Sequence, residues 1–344
     1  MNNLIRHLKN PTEDLFLKRN YHPKYPICLY NYSLESPKFH PAVVESRSTV
    51  LDFDYSLITR GFKRFFNLHE KEHSFNWNNF TCYEKVDGTY INLYSVYGQW
   101  EITTRQTFGE GKVNDSNYTW KDLFWRNIKL SSEAHRYTSL VFELVGPLNK
   151  IVRDYPESLY LLAGWDRYYN VELTDFQLDH LAHKMSVLRP QRYDCNSLDA
   201  VMNLLEEKEQ SDETFEGFVV KDNLGERIKI KSSTYLSIHS LWNNGSVVNK
   251  RSVVKLFLSN DLDEVIEMFP HSKEVVLQYK TTLLNFLHNC EEFYSQIKHI
   301  ESQKDFALAA KNFSHPSVLF LMRQYNKPAC ECINENTLLK VLNG

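Results

Sequence analysis

Glu84-Lys85-Val86-Asp87-Gly88 decides how this chain is read. A lysine stands two residues ahead of an aspartate, and a glycine follows at once. On either side run Phe80-Thr81-Cys82-Tyr83 and Tyr90-Ile91-Asn92-Leu93-Tyr94, both alternating and both rich in β-branched or aromatic residues. The pattern predicts a strand on each side, with Lys85 at the mouth of a hairpin. Gly88 would allow a tight turn or a close approach to a ligand. A lysine held there is a nucleophile once desolvation or neighbouring cations lower its pKa. The same five residues also describe an ordinary charged surface turn, and the remainder of the chain decides between the two.

Composition narrows the choice. With 344 residues and 42% hydrophobic content, the chain can bury a sizeable core and is expected to form two domains. A net charge of −3 carries no global signal for nucleic acid, so any such contact depends on a local patch. Of the cysteines Cys28, Cys82, Cys195, Cys290, Cys330 and Cys332, only the last two are close, as C-x-C, and no second pair stands at zinc-ligand spacing. They read as reduced thiols of a cytosolic protein. Arg6, Lys9, Glu13 and Asp14 interrupt the N-terminus, and no apolar run approaches membrane-spanning length. The expectation is a soluble, cytoplasmic protein without a membrane partner.

Outward from the lysine, residues 1–20 read as a short helix broken at Pro11, and Leu29 to Tyr32 as a strand. Val43 to Phe53 reads as one strand with Arg47 in its middle, at a sheet edge or reaching an anion. In Phe62-Lys63-Arg64-Phe65-Phe66-Asn67-Leu68, two cations precede two aromatics, which suits either a core Phe pair or a basic tip near phosphate. Downstream, Glu101 to Gly109 is a strand with a polar end carrying Arg105. Residues 115–135 are weakly helical. Ser139 to Pro147 is a buried strand with Glu143 in its centre. A carboxylate there needs a partner, such as a lysine or the hydroxyls of a sugar. Leu159 to Trp165 is a further apolar strand, and residues 174–210 hold two helical stretches.

Phe215 to Lys221 and Arg227 to Lys231 read as a hairpin turning at Asp222-Asn223-Leu224-Gly225. Strand alternation puts Arg227, Lys229 and Lys231 on one face, opposite Ile228 and Ile230. Three cations in a row repel unless an anion lies among them, which suggests a phosphate. Glu216 offers a carboxylate to a divalent metal or to one of these lysines. Trp242 to Ser246 reads as a linker, after which strands give way to helical spacing. Val276, Tyr279, Leu283, Leu284 and Leu287 form one stripe, with Ser272 as a possible N-cap. Ser302 and Asp305 suit a capping box, and Ser314-His315-Pro316 opens another helix. The expected organisation is one domain over residues 1–240 and an all-helical, charge-balanced one over 245–344.

Four motifs now stand in order: Lys85-Val86-Asp87-Gly88, Phe142-Glu143-Leu144-Val145, Glu216-Gly217-Phe218-Val219-Val220 and Lys229-Ile230-Lys231. Together they resemble the covalent nucleotidyltransferases, the polynucleotide ligases and mRNA capping enzymes. The nearer resemblance is to the phage RNA ligase 1 family. It rests on Glu45-Ser46-Arg47, on Arg64-Phe65-Phe66-Asn67-Leu68, on Phe142 to Pro147 with Asn149, Ile151 and Val152, and on Lys229-Ile230-Lys231-Ser232 with Tyr235 and His239. It covers residues from about 28 to 240 and continues more loosely beyond. Two positions depart from the family pattern: Arg64 and Arg105 stand where it usually has lysine, and a fork donor is not a point charge.

The resemblance implies an α+β fold, with an N-terminal nucleotidyltransferase domain, ATP-grasp-like, of antiparallel sheets flanked by helices, and an all-helical C-terminal domain. It implies an ATP-dependent RNA ligase using Mg2+ or Mn2+ and acting as a monomer on RNA with 5′-phosphate and 3′-hydroxyl ends, either tRNA or single-stranded RNA. Lys85 is the implied nucleophile, and Asp87 helps position or deprotonate it. Glu143 binds ribose, Lys229 and Lys231 contact the α-phosphate, and Glu216 helps hold the metal. Arg47 and Arg64 face the outer phosphates or pyrophosphate, Arg105 belongs to the ATP-binding set, and Glu84 lies near adenine. A DNA ligase or guanylyltransferase is the alternative within the superfamily, but such enzymes usually carry a β-rich OB-fold after the last lysine motif. A non-catalytic RNA-end-binding protein is the alternative outside it, and its signature would be loss of the nucleophile or metal carboxylate.

Overall fold

The computed structural model describes every residue except 1, 69, 71–73, 115, 213, 233–249, 260, 261, 263–272 and 344. Packing divides the chain into two units, Met1–Tyr32 with Ser36–His239, and Ser33–Glu35 with Ser240–Gly344. The expected linker at Trp242–Ser246, the Ser272 cap and the Tyr235 and His239 positions lie outside the described residues.

The first unit is built on three sheets. One runs β1 (Leu17–Tyr21), β2 (Ile27–Tyr32), β3 (Thr49–Asp52), β4 (Leu57–Thr59), with neighbours antiparallel. The second has the order β10 (Ser158–Asp166), β9 (Tyr137–Val145), β7 (Thr89–Val96), β8 (Gln99–Thr103), also antiparallel. The third has the order β11 (Arg192–Tyr193), β6 (Phe80–Glu84), β12 (Gly217–Asp222), β13 (Arg227–Lys231), β5 (Phe66–Asn67). Its last pair, β13 with β5, is parallel, the one departure among the described strands from the antiparallel expectation. Helices α1 (Asn2–Lys9), α2 (Pro41–Ser46), α3 (Trp120–Arg126), α4 (Asp175–Met185) and α5 (Leu198–Ser211) complete the unit. The second sheet's core packs Ile91, Phe142 and Leu161 against Leu123 and Phe124 of α3 and Leu178 and Leu181 of α4. α3 and α4 start at full capping boxes, Thr119 with Asp122 and Thr174 with Gln177.

Three sequence expectations are corrected. Residues 1–20 are not one broken helix: α1 ends at Lys9, and Leu17 already belongs to β1. Val43 to Phe53 is not one strand. His40 accepts the Ala42 amide as N-cap, Pro41 opens α2, and the helix stops at Arg47 before β3. The β-branched Val43 and Val44 resemble a strand but belong to that helix, with Val43 in its buried face. Phe80 to Tyr94 is not a hairpin either, because β6 and β7 lie in different sheets.

In the second unit every described secondary-structure element is a helix, which agrees with the expected C-terminal helical region. Its helices are Lys250–Ser259, Lys273–Ile297, Gln303–Ala310, Pro316–Tyr325, Ala329–Cys332 and Glu335–Asn343. The stripe Val276, Leu283 and Leu287 is buried with Phe306, Leu319 and Leu338 in one core. Ser302 accepts the Asp305 amide as its helix cap. No described helix is long and apolar enough to cross a membrane.

Candidate active site

The lysine motif is a crossing between two sheets. β6 ends at Glu84 and β7 begins at Thr89, so Lys85 to Gly88 carries the chain from the third sheet to the second. The Lys85 amide donates to the Gly217 carbonyl at 2.9 Å, which ties it to β12. Gly88 needs no left-handed backbone. A Cβ there would stand 2.4 Å from the Leu144 carbonyl oxygen, so glycine is required for close approach to β9. Asp87 is buried, and its Oδ2 accepts the amides of Val152 at 3.0 Å and Arg153 at 3.2 Å.

The Glu216-Gly217 pair sits opposite. Gly217 has φ +130 and lies in register with Lys231; a Cβ there would meet the Ile230 oxygen at 2.2 Å. Glu216 is buried, and its Oε1 lies 2.7 Å from Lys85 Nζ and 3.5 Å from Lys231 Nζ. Its Oε2 is buried with no hydrogen-bond partner among the described residues. An unsatisfied carboxylate oxygen is a hard donor of the kind Mg2+ and Mn2+ take, so the residues present fit a divalent cation. Glu143, on β9 in register with Tyr90 and Tyr160, has its carboxyl pushed up to about 8. Burial is the main cause; Lys85 and Arg47 partly oppose it, and Glu216 and Asp87 add to it.

A second group of cations surrounds Tyr32, the last residue of β2. Burial disfavours its phenolate, yet Arg105, Arg47, Arg64 and Lys229 together hold the phenol below its ordinary range. The Arg64 guanidinium lies 4.3 Å from the Tyr32 ring centre, and Arg47 lies 4.7 Å from that of Tyr90. Arg47 Nη1 is buried without a hydrogen-bond partner among the described residues. The Arg64 amide donates to Val44 of α2, and Arg105 stands in a turn held by the Thr104 hydroxyl, which accepts the Gln106 and Thr107 amides. Four cations around one phenol, with an unsatisfied guanidinium nitrogen, make a cradle for an anion. Tyr32 was missed in the sequence because a tyrosine ending an apolar strand resembles any core residue.

The sequence-derived candidates therefore converge. Lys85, Asp87, Glu143, Glu216 and Lys231 form one cluster, and Arg64, Arg105 and Lys229 the other, with Arg47 shared between them. Glu84 lies at the edge, where its Oε1 accepts from Arg153 Nη1 at 2.8 Å and its Oε2 from the Tyr193 hydroxyl at 3.4 Å. Arg227 shares a face of β13 with Lys229 and Lys231 but pairs elsewhere. Glu172 takes it as an ion-pair partner together with Lys221, at 2.7 Å for the lysine, so at that end the balancing anion is a protein carboxylate. His22, Glu101 and Glu110 also bring ligand atoms within 4.8 Å of one another. Lys121 already bridges those two carboxylates at 2.6 and 2.8 Å, and His22 Nδ1 accepts the Lys24 and Tyr25 amides, so this group serves the fold.

The RNA ligase family model of the phage T4 RNA ligase 1 type matches residues 43–235, more than half of the chain. A protein of Autographa californica nuclear polyhedrosis virus, described as a bifunctional polynucleotide kinase/RNA ligase, is 28% identical over 299 residues, 79% of this chain. This chain spans 42% of that relative's length. An archaeal ATP-dependent RNA ligase shares the fold with TM-score 0.50 and 14% identity over 93% of this chain and 78% of the other. A protein of Aquifex aeolicus described as an ATP-dependent DNA ligase does so with TM-score 0.51 and 13% identity over 90% of this chain and 87% of the other. The chain belongs to the RNA ligase family of the phage RNA ligase 1 type.

Proposed function

We propose that the chain is an ATP-dependent RNA ligase, and the Lys85–Glu216–Lys231 cluster is the observation that carries this reading. A lysine joined at 2.7 Å to a carboxylate can pass it a proton and then attack phosphorus. In the first step Lys85 Nζ forms a bond to the α-phosphorus of ATP, and the bond to the leaving pyrophosphate breaks. The nucleotide then moves to an RNA 5′-phosphate, which attacks the same phosphorus and releases Lys85. In the third step a 3′-hydroxyl oxygen attacks the activated 5′-phosphate, forming the phosphodiester and releasing AMP.

In this reading Lys229 and Lys231 neutralise charge at the α-phosphate, Glu143 holds the ribose, and Arg47, Arg64 and Arg105 hold the outer phosphates beside Tyr32. Glu84 faces the adenine. Asp87 positions Lys85 through the loop it grips, and Glu216 is the carboxylate at hand to take the lysine proton. A Mg2+ or Mn2+ ion held at Glu216 would add positive charge to the phosphates. Support for RNA as substrate comes from the family and from the viral relative's name. The proposal extends to tRNA as the physiological substrate, to action as a monomer, and to a cytoplasmic location, that of the host if the source is viral.

The test is incubation with magnesium and α-labelled ATP or GTP, a denaturing gel, and Lys85→Ala alongside. Label retained from ATP alone, and lost in the variant, supports the reading. Label from GTP moves it to a capping-type enzyme. No label in folded protein that is not already adenylylated overturns it. Deleting residues 245–344 then tests the tRNA proposal. If sealing of nicked tRNA and of generic single-stranded RNA falls equally, the helical region is not a tRNA reader.

A further inference from the structure

The residues on either side of the nucleophile are gripped by one and the same residue. The loop after β9 turns at Gly146 and is fastened to the start of β7, with Asn149 Nδ2 donating to the Leu144 carbonyl at 2.7 Å and to Thr89 Oγ1 at 3.1 Å. It then reaches the lysine motif three times. The Val152 and Arg153 amides donate to Asp87 Oδ2, and the Tyr155 hydroxyl accepts the Asp87 amide at 3.5 Å. The Arg153 side chain doubles back to Glu84, at 2.8 Å, and to Asp212 just beyond α5, at 3.4 Å. Its guanidinium also lies 5.3 Å from the centre of the Tyr155 ring.

We propose that Arg153 is a positioning residue for the Lys85 nucleophile. Its backbone holds the residue two places after Lys85, and its side chain holds the residue just before it. Lys85 to Gly88 is the span between two sheets, and a strand ladder alone does not fix such a crossing. The hydrogen bond from the Lys85 amide to the Gly217 carbonyl anchors Lys85 to one sheet and the packing of Gly88 on Leu144 anchors the span to the other. Arg153 closes the gap from the side, with Asp212 as a second anchor that keeps its guanidinium from swinging away. The fork geometry of arginine allows it to hold Glu84 and Asp212 together, as Nη1 and Nη2 point to different carboxylates.

The inference rests on the ligase reading, and the test separates the two. Arg153→Gln and Arg153→Lys are compared with wild type in full-length protein. One assay is single-turnover lysyl-adenylate formation across ATP concentrations. The other is sealing of RNA that has been chemically adenylylated beforehand, in which Lys85 forms no bond. A nucleophile displaced by about 1 Å slows its reaction by roughly 10- to 100-fold. Arg153→Gln should lower the adenylylation rate at saturating ATP by that factor. Sealing of the pre-adenylylated RNA should stay within about twofold of wild type, since the positioning effect acts on the Lys85 step alone. Arg153→Lys, which keeps charge but not the fork, should recover part of the loss. An adenylylation rate equal to wild type overturns the proposal, and so does an equal fall in both assays, which marks a merely structural residue. If wild-type protein forms no lysyl-adenylate, the ligase reading falls first and takes this inference with it.

Discussion

Lys85 and Glu216 meet as an ion pair, Nζ to Oε1 at 2.7 Å, across the junction where the third sheet hands the chain to the second. Lys231 adds a second ammonium at 3.5 Å to the same oxygen. In this arrangement Glu216 faces two cations with one oxygen and leaves the other oxygen without a hydrogen-bond partner among the described residues. Glu216→Gln keeps the shape and removes the charge. It should cut lysyl-adenylate formation by about 100-fold, the span typical of losing a positioned proton acceptor. Single-turnover labelling with ATP measures this, and circular dichroism checks that the fold is kept. A loss below threefold would show that Glu216 is not the acceptor.

Glu143 makes the ligand-free protein sensitive to pH. Its folded pKa of about 8 lies above the unfolded 4.5, so between these values the unfolded chain releases a proton that the native one keeps. Stability should therefore be highest below the unfolded value, fall as pH rises through the window, and level off above about 8. Glu143→Gln, which cannot ionise, should remove that slope. Allowing for solvent in the cleft, the difference at alkaline pH is on the order of 2 kcal/mol in favour of the variant. Urea unfolding at several pH values without nucleotide measures it. Parallel slopes for the two proteins would show that Glu143 does not carry the effect.

Much of this was legible in the sequence, and the failures have physical causes. The β12–β13 hairpin followed from Asp222 to Gly225 and from strict alternation, because Ile228 and Ile230 are buried while their neighbours are not. Glu143 in an apolar run signalled a partner, and the two cations that oppose its burial, Lys85 and Arg47, were both already singled out in the sequence. Sheet membership was not legible. β6 and β7 look like a hairpin because a short segment with a glycine links them, yet Gly88 serves a contact with β9, more than fifty residues downstream. Glu172, Tyr32 and Arg153 were missed for a related reason. Each acts through neighbours distant in sequence, and none carries a local pattern.

The two glycines of the site should be intolerant for different reasons. Gly217→Ala forces a side chain into a positive-φ position and against the Ile230 carbonyl, so it should disturb the β12–β13 ladder itself. The expected cost is about 2–3 kcal/mol in denaturant unfolding. Gly88→Ala meets the Leu144 carbonyl without a positive φ, so the crossing segment has to move. Its larger effect should be on adenylylation by Lys85, with a smaller loss of stability than for Gly217→Ala. Measuring both quantities for both variants tests the assignment, and a reversed ranking would reject it.

Tyr32 should report directly on the proposed phosphate cradle. Arg105, Arg47, Arg64 and Lys229 hold its phenol below the ordinary value of 10.0. A phenol with a lowered folded pKa contributes stability that is present above the unfolded value and is lost as pH falls through the folded one. Wild type should thus gain on Tyr32→Phe as pH rises through that window. A near-ultraviolet titration of the native protein should show one tyrosine ionising ahead of the others, and Tyr32→Phe should lack that phase. Pyrophosphate bound among the same four cations would compensate their charge and push the phenol back toward its ordinary value. Saturating pyrophosphate should therefore move the early phase to higher pH in wild type. An early phase that pyrophosphate leaves in place would mean that the outer phosphates bind elsewhere, and Arg47, Arg64 and Arg105 would lose their assignment together.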